Sequence, residues 1–102
     1  WTPEEGPCHA SVRWLTARPG VRFVRVWVDA WWRSRPDQLL MLAHELQHVV
    51  EIAREPGVRD PAAMASLFRR IGSEGDDGCF ETDAARRVEV IVAAELVKAG
   101  QW

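Results

Sequence analysis

The sequence has no tyrosine, only two cysteines and no concentrated block of basic residues. Its 13 Lys+Arg stand against 15 Asp+Glu in 102 residues, which gives a formal net charge of -2. A nucleic-acid-binding surface needs clustered positive charge, so we expect no nucleic-acid partner. No apolar run approaches the roughly 20 residues that a bilayer-spanning helix requires, so we expect no membrane segment in this chain. The length and the hydrophobic content of 47% fit one globular domain over residues 1–102.

The two cysteines, Cys8 and Cys79, are far apart and lack the CxxC spacing of a redox motif or a zinc knuckle. They either form a disulfide or remain free thiols, as in a cytosolic protein. The chain begins at Trp1 rather than at Met, which predicts a fragment or a processed form of a longer chain. If a signal peptide had been removed, the protein would be secreted or periplasmic.

A β-hairpin is predicted near the N-terminus, where segments rich in β-branched and aromatic residues lie at 11–17 and 21–29. Pro19 and Gly20 between them suit a short turn, because proline fixes its φ and glycine accepts a positive φ. Three valines alternate along one face of the second strand, and we expect this face to meet the helices: Val24, Val26 and Val28.

Three helices are predicted after the hairpin. The first spans about 36–55, and because its apolar residues surround most of the helix, we expect it to be central and buried on several sides. A shorter amphipathic helix follows the capping residue Asp60 and ends at Gly72. Residues 73–78 are predicted to form a polar loop, and the last helix is predicted over about 81–99. The predicted fold class is α+β, with a small antiparallel sheet packed on the central helix and two further helices.

The central helix contains an H-E-x-x-H motif, His44-Glu45-Leu46-Gln47-His48. The two histidines lie one helical turn apart, so both imidazoles can reach one metal ion, and zinc suits these ligands. Glu45 is offset around the helix and can accept a proton from the attacking water instead of binding metal. The alternative is a pair of core histidines, each hydrogen-bonded to its own buried partner.

The residues after the motif exclude one class of metallopeptidase and leave the role of one carboxylate open. The metzincin extension requires Gly and His at positions where this chain has Glu51 and Arg54. Glu51 lies one turn beyond His48, so it either accepts a hydrogen bond from an imidazole or faces solvent or an arginine.

Glu81 is the best candidate for a third protein ligand. In a helix that starts near residue 81, it extends an apolar stripe formed by Ala84, Ala85, Val88, Val92 and Leu96. A carboxylate on such a stripe is costly to bury unless it is paired or bound to metal. The alternative is an acidic residue favoured at a helix N-terminus by the helix dipole. Weaker candidates for the third ligand are Asp76, Asp77 and Asp83.

The H-E-x-x-H helix and the later segment Phe80-Glu81-Thr82-Asp83-Ala84-Ala85 together resemble the gluzincin group of zinc metallopeptidases. More narrowly, the chain is similar to short bacterial proteins that carry HELQHxxEIA followed by FETxAA, here residues 44–53 and 80–85. The resemblance covers roughly residues 20–99. It implies a zincin-like fold, an extended peptide bordered by the strand at 21–29, and Glu45 as the general base. The zinc ligands that it implies are His44, His48 and Glu81.

Gluzincins usually also supply a tyrosine or a histidine that stabilises the tetrahedral intermediate. This chain has no tyrosine, and we expect His9, its only other histidine, at the surface. Four tryptophans near the hairpin either pack in the core and at its rim or form an apolar patch on the substrate side: Trp14, Trp27, Trp31 and Trp32.

The sequence therefore predicts a zinc-dependent metallopeptidase that hydrolyses peptide bonds in a peptide or protein substrate. The competing hypothesis is a latent or non-catalytic zinc-binding domain, in which the metal is a structural staple and the Trp-rich surface binds a partner. In one version of the latent state, the thiolate of Cys8 is a further zinc ligand. An open coordination position favours the enzyme, whereas four protein ligands favour the staple.

Overall fold

The structure, a computed structural model, describes residues 8–29, 33–74 and 79–102. Within these ranges it is a small α+β fold with a two-stranded antiparallel hairpin and three helices, as predicted. None of the described helices is long and apolar enough to span a bilayer. In chain order the elements are β1 (Ala10–Arg18), β2 (Val21–Val28), α1 (Arg35–Ala53), α2 (Pro61–Ile71), β3 (Ser73–Glu74), β4 (Phe80–Glu81) and α3 (Asp83–Lys98).

The hairpin has the predicted antiparallel pairing and turn. Gly20 in the turn has a φ of 76°, which glycine adopts without the steric cost of a Cβ. The register shifts between Trp14 and Thr16, so Leu15 forms a β-bulge in β1. Val24 packs against the apolar core, and the valine face therefore meets the helices as predicted.

A polar side chain begins each of the three helices. Ser34, Asp60 and Thr82 each accept a hydrogen bond from the backbone N–H three residues later, which satisfies a donor that the helix itself cannot. The first two caps confirm the predicted starts of α1 and α2. The third shows that the predicted start of the last helix near residue 81 is wrong, because α3 begins only after Thr82.

The segment between α2 and α3 also differs from the predicted loop. Ser73 and Glu74 form β3, which pairs antiparallel with Phe80 and Glu81 of β4. Gly72 permits this pairing, because a Cβ at that position would collide with the backbone carbonyl of Glu81. Strands of two residues have no periodicity, so no sequence pattern could indicate them.

The apolar core is small and lies where α2 meets the hairpin and the end of α1. It is formed by four buried side chains, Ile52, Val58, Leu67 and Phe68. Trp14 packs against it, which agrees with the packing alternative for this tryptophan. Trp31 and Trp32 lie outside the described residues.

The exposure of helix α1 shows that the prediction of a helix buried on several sides is wrong. A stripe of apolar side chains on this helix is between 38% and 48% exposed: Leu39, Leu42, Leu46 and Val50. Apart from Ile52, its buried side chains are polar: His44, Glu45, His48 and Glu51. The apolar residues of α1 surround most of the helix and therefore predicted burial on several sides. In the structure, α3 and the hairpin cover only part of the helix.

Arg22 of β2 ties the hairpin to the C-terminal end of α1. Its guanidinium donates hydrogen bonds of 2.8 to 3.2 Å to the backbone carbonyls of Ile52, Ala53, Glu55 and Val58. The carbonyls at a helix C-terminus attract cations, so one arginine holds both the end of α1 and the loop after it. This contact fixes the hairpin beside the helix that carries the H-E-x-x-H motif.

A disulfide joins Cys8 to Cys79, whose Cα atoms are 5.9 Å apart across a sequence separation of 71. It links the chain before β1 to the chain before β4, and the alternative of two free thiols is therefore wrong. The hypothesis of Cys8 as a zinc-binding thiolate is also wrong for this state, because a disulfide sulfur is not a thiolate.

Candidate metal centre

Helix α1 and strand β4 bring three potential metal ligands together. The one-turn spacing of His44 and His48 puts both imidazoles on the buried face of α1, and Glu81 approaches them from β4. One ligand atom from each residue lies within 4.8 Å of the other two. The structure therefore brings together the three residues that the sequence suggested as ligands.

The distances within this group resemble those of a coordination site. Oε1 of Glu81 lies 2.6 Å from Nε2 of His44 and 3.9 Å from Nε2 of His48. Ligand atoms bound at about 2.0–2.1 Å to one tetrahedral zinc ion are about 3.3 Å apart. These two distances lie on either side of that value, and all three ligand atoms lie within 4.8 Å of one another, so their spacing is close to what a shared ion requires.

His48 provides a direct test of whether a metal fits. Its Nε2 is buried and has no hydrogen-bond partner among the described residues. A buried polar atom without a partner is costly, and binding a cation would satisfy it. Two imidazole nitrogens and one carboxylate oxygen are also a donor set of the kind that zinc prefers. The residues present thus fit a metal ion.

The charge around the two imidazoles also favours a cation. Four carboxylates each have an oxygen within 4 Å of one of the rings: Glu45, Glu51, Glu81 and Glu89. With all four ionised, even protonation of both histidines would leave two negative charges in excess. A divalent cation would compensate this excess, which is expensive to maintain in a partly buried cluster.

Glu81 reaches the site by a different route from the predicted one. It lies in β4, before the N-cap of α3, so it does not extend the apolar stripe of that helix. Its Oε1 accepts a hydrogen bond of 3.3 Å from the backbone N–H of Thr82, and its side chain is 32% exposed. Among the weaker candidates, Asp83 is exposed in the first turn of α3 and outside the ligand group. Asp76 and Asp77 lie outside the described residues.

Glu51 orients the ring of His48 and links it to α3. Its Oε1 lies 2.7 Å from Nδ1 of His48, and its Oε2 accepts a hydrogen bond of 2.8 Å from Oγ1 of Thr82. The same threonine caps α3. The structure therefore favours the alternative in which Glu51 holds an imidazole, and with Nδ1 as the donor, Nε2 is left to face Glu81.

Glu89 on α3 occupies the corresponding place beside His44, and the sequence analysis missed it. Its Oε1 lies 2.7 Å from Nδ1 of His44, although not in line with the N–H bond. A signal was available, because Glu89 lies one helical turn after Ala85, the fully buried residue of α3. The side chain of Glu89 is 42% exposed, and it places a carboxylate next to the buried imidazole of His44.

Glu45 is buried next to the candidate ligands but is not grouped with them. Its Oε2 lies 3.9 Å from Nε2 of His44. Burial raises the pKa of Glu45, and the two imidazoles partly oppose this rise. A carboxylate with a raised pKa binds a proton more readily than an exposed glutamate does, which is a property of a general base.

Comparisons of the chain with family models, curated proteins and solved structures give no match. The resemblance to gluzincins therefore rests on the two sequence motifs.

A cavity of about 440 Å³ adjoins the candidate ligands. Glu45 and His48 line it together with residues 10–14 of β1. The strand that borders this cavity is thus β1 and not the strand at 21–29, along which the resemblance implies an extended peptide; the position of a peptide stays a prediction. In this hairpin, β2 pairs with one edge of β1, and the described residues place no strand on the other edge.

His9 lies outside the cavity lining, with its side chain 65% exposed and 3.7 Å from a carboxylate oxygen of Asp29. The expectation of a surface residue is confirmed. His9 is thus not placed to contact a substrate next to Glu45.

Proposed function

We propose that this protein is a zinc-dependent peptidase with a zincin-like fold of the gluzincin type. The observation that carries the proposal is the convergence of His44, His48 and Glu81 beside a buried Glu45, at the wall of a cavity. A site of purely structural histidines would not need an unpartnered Nε2, an excess of carboxylates and an adjacent cavity.

Each residue has a distinct task in this proposal. His44, His48 and Glu81 hold the ion, which when bound supplies a Lewis acid that polarises the scissile carbonyl and makes water more acidic. Glu45 removes a proton from the attacking water, whose oxygen bonds to the carbonyl carbon. The C–N bond then breaks, and Glu45 passes the proton to the leaving nitrogen.

The carboxylates behind the two histidines support these tasks. Glu51 and Glu89 contact the Nδ1 atoms, so the Nε2 atoms are the ones directed towards Glu81. A hydrogen bond such as that of Glu51 fixes the tautomer and the orientation of a metal-binding imidazole, whereas Glu89 adds a negative charge beside His44. The substrate carbonyl is expected to approach from the side of the cavity that Glu45 and His48 line.

A second candidate function is a non-catalytic zinc-binding domain in which the metal is a structural staple. The size of the core favours it, because only five apolar side chains are buried in the part of the chain that the structure describes. A small domain with a small core gains stability from a metal that joins two of its elements. In this case Glu45 has no chemical role.

Zinc content and peptide hydrolysis in matched variants test the two functions. We expect about one zinc per chain in the wild type, in Glu45→Gln and in Glu74→Ala, and a marked loss in Glu81→Ala. Glu74 is the control because it lies in the paired strand β3 and is exposed. Turnover should persist in Glu74→Ala and fall by about 100- to 10,000-fold in Glu45→Gln.

Three results would contradict the peptidase proposal in different ways. Bound zinc with no hydrolysis in the wild type would favour the structural staple. Equal turnover in the wild type and in Glu45→Gln would remove the role assigned to Glu45. No zinc in the wild type, even after reconstitution, would leave His44 and His48 as buried structural residues.

A further inference from the structure

We propose that the cavity beside Glu45 binds one large apolar side chain of the substrate, on a residue next to the scissile bond. This inference rests on the proposed peptidase function and adds its substrate class. The preferred substrates are peptides with an aliphatic or aromatic residue at that position.

The wall of the cavity is mainly apolar and comes from three elements. Besides Glu45 and His48, it contains six apolar side chains from β1, α2 and β4: Val12, Trp14, Pro61, Met64, Phe68 and Phe80. Burial of an apolar side chain against such a wall is favourable in proportion to the area removed from water. A charged side chain in the same place would lose its hydration.

An aromatic surface connects this wall to the proposed metal site. The ring of Phe68 meets the ring of His48 edge-on at 5.2 Å between centroids and stacks on the ring of Phe80 at 5.8 Å. Phe80 directly precedes Glu81 in β4. A substrate side chain that contacts these rings is therefore attached close to the bond that Glu45 would help to cleave.

The charged groups of the lining lie where they do not oppose an apolar side chain. Glu45 belongs to the proposed chemistry. Arg13 alternates along β1 with Val12 and Trp14, which face the core, so it belongs to the opposite face, where Arg25 is its cross-strand neighbour. The side chains that border this space from β1 and α2 are thus mainly apolar, although Ser11 and Arg13 are also part of the lining.

The size of the cavity and the shape of β1 favour an extended peptide. A volume of about 440 Å³ lies within the about 300–1,000 Å³ of typical ligand sites, so it can hold a side chain with part of its backbone. Residues 10–14 form the regular part of β1, which ends at the bulge at Leu15. Alternate backbone groups of an edge strand point away from its partner and can pair with a bound peptide.

Binding of matched peptides tests the preference separately from catalysis. The probes are capped pentapeptides of alanine with leucine, tryptophan or aspartate at the centre, titrated calorimetrically into zinc-loaded Glu45→Gln protein. We expect the leucine peptide to bind at least about ten times more tightly than the aspartate peptide.

Two changes at Met64 assign the preference to the cavity. Met64→Lys should abolish the advantage of leucine over aspartate, because its ammonium group opposes burial of an apolar side chain and attracts the aspartate carboxylate. Met64→Ala should enlarge the space and raise the affinity for the tryptophan peptide relative to the leucine peptide. Ser66→Lys, at an exposed position on the same helix, is the control and should leave the preference unchanged. Zinc content shows that each variant retains the site.

Each result supports or overturns the inference. Equal affinities for the leucine and aspartate peptides, or no detectable binding of either, would overturn it, as would identical behaviour of Met64→Lys and Ser66→Lys. Selective binding without cleavage by the wild type would support the cavity and refute hydrolysis. Cleavage by the wild type that is indifferent to the central residue would support hydrolysis and refute the cavity.

Discussion

Helices α1 and α2 both carry many apolar residues, yet they bury different kinds of side chain. Helix α2 buries Leu67 and Phe68 and exposes Arg69 and Arg70, as an amphipathic helix on a core does. Helix α1 buries two histidines and two glutamates and leaves a stripe of leucine and valine about 40% exposed.

The difference shows that two kinds of interaction position the two helices. The buried face of α2 is favourable by itself, because it removes apolar surface from water. The buried face of α1 is favourable only when partners satisfy its polar atoms, since an unpaired buried polar group costs about 1–3 kcal/mol. The partners come from β4 and the N-cap of α3, through Glu81 and Thr82, and Glu89 of α3 adds a carboxylate beside His44.

The largest expected effect comes from truncating the apolar face of α2. Leu67→Ala should lower the free energy of unfolding by about 2–5 kcal/mol, because it leaves a cavity in the core. Leu46→Ala on the exposed stripe of α1 should change it by less than about 0.5 kcal/mol. Urea denaturation of both variants measures the difference. A cost for Leu46→Ala as large as that for Leu67→Ala would mean that this face of α1 is covered in solution.

A smaller effect is expected at Gly72, where α2 passes next to the ligand strand. Gly72→Ala should destabilise the protein by about 1–3 kcal/mol and weaken zinc binding, because the new Cβ must displace the backbone of Glu81. Gly57→Ala is the control, since a Cβ there meets no atom within 4 Å. Calorimetric zinc titration and thermal unfolding give the two quantities. If both variants bind zinc with equal affinity, the position of β4 does not control zinc binding.

The smallest effect on stability is expected at Thr82, which joins the polar face of α1 to the start of α3. Thr82→Val should cost about 0.5–2 kcal/mol through the lost helix cap. Its zinc affinity should fall by about 10- to 100-fold, because Glu51 loses a partner that holds it against His48. Thr16→Val, at an exposed position of β1, should alter neither quantity. Loss of stability with unchanged zinc affinity would limit Thr82 to its capping role.

Much of the local structure could be predicted from the sequence. The turn at Gly20, the caps at Ser34 and Asp60 and the one-turn spacing of His44 and His48 follow from interactions within a few residues of the chain. Such interactions operate wherever the segment lies in the fold. For this reason the hairpin, the starts of α1 and α2 and the pair of imidazoles were predicted correctly.

The errors concern contacts between distant segments. The predicted helical stripe through Glu81 was wrong because Thr82, which also contacts Glu51, caps α3 at a later residue. The sequence suggested Glu81 as a ligand for the wrong geometric reason, and it indicated neither the contact of Glu51 with Thr82 nor the position of Glu89 beside His44.

The sequence by itself determined the hairpin and the starts of α1 and α2, and it put two imidazoles and a glutamate on one helix, because backbone geometry fixes the distance between residues three or four positions apart. Only the tertiary structure decided which face of α1 is buried, and it alone brought β4 and α3 to that face. The physical reason is that burial depends on which surfaces of the fold come into contact. Either the apolar stripe or the polar face of α1 could have packed against the other elements. The polar face of α1 is the buried one, because residues of β4 and α3 contact it through charges and hydrogen bonds.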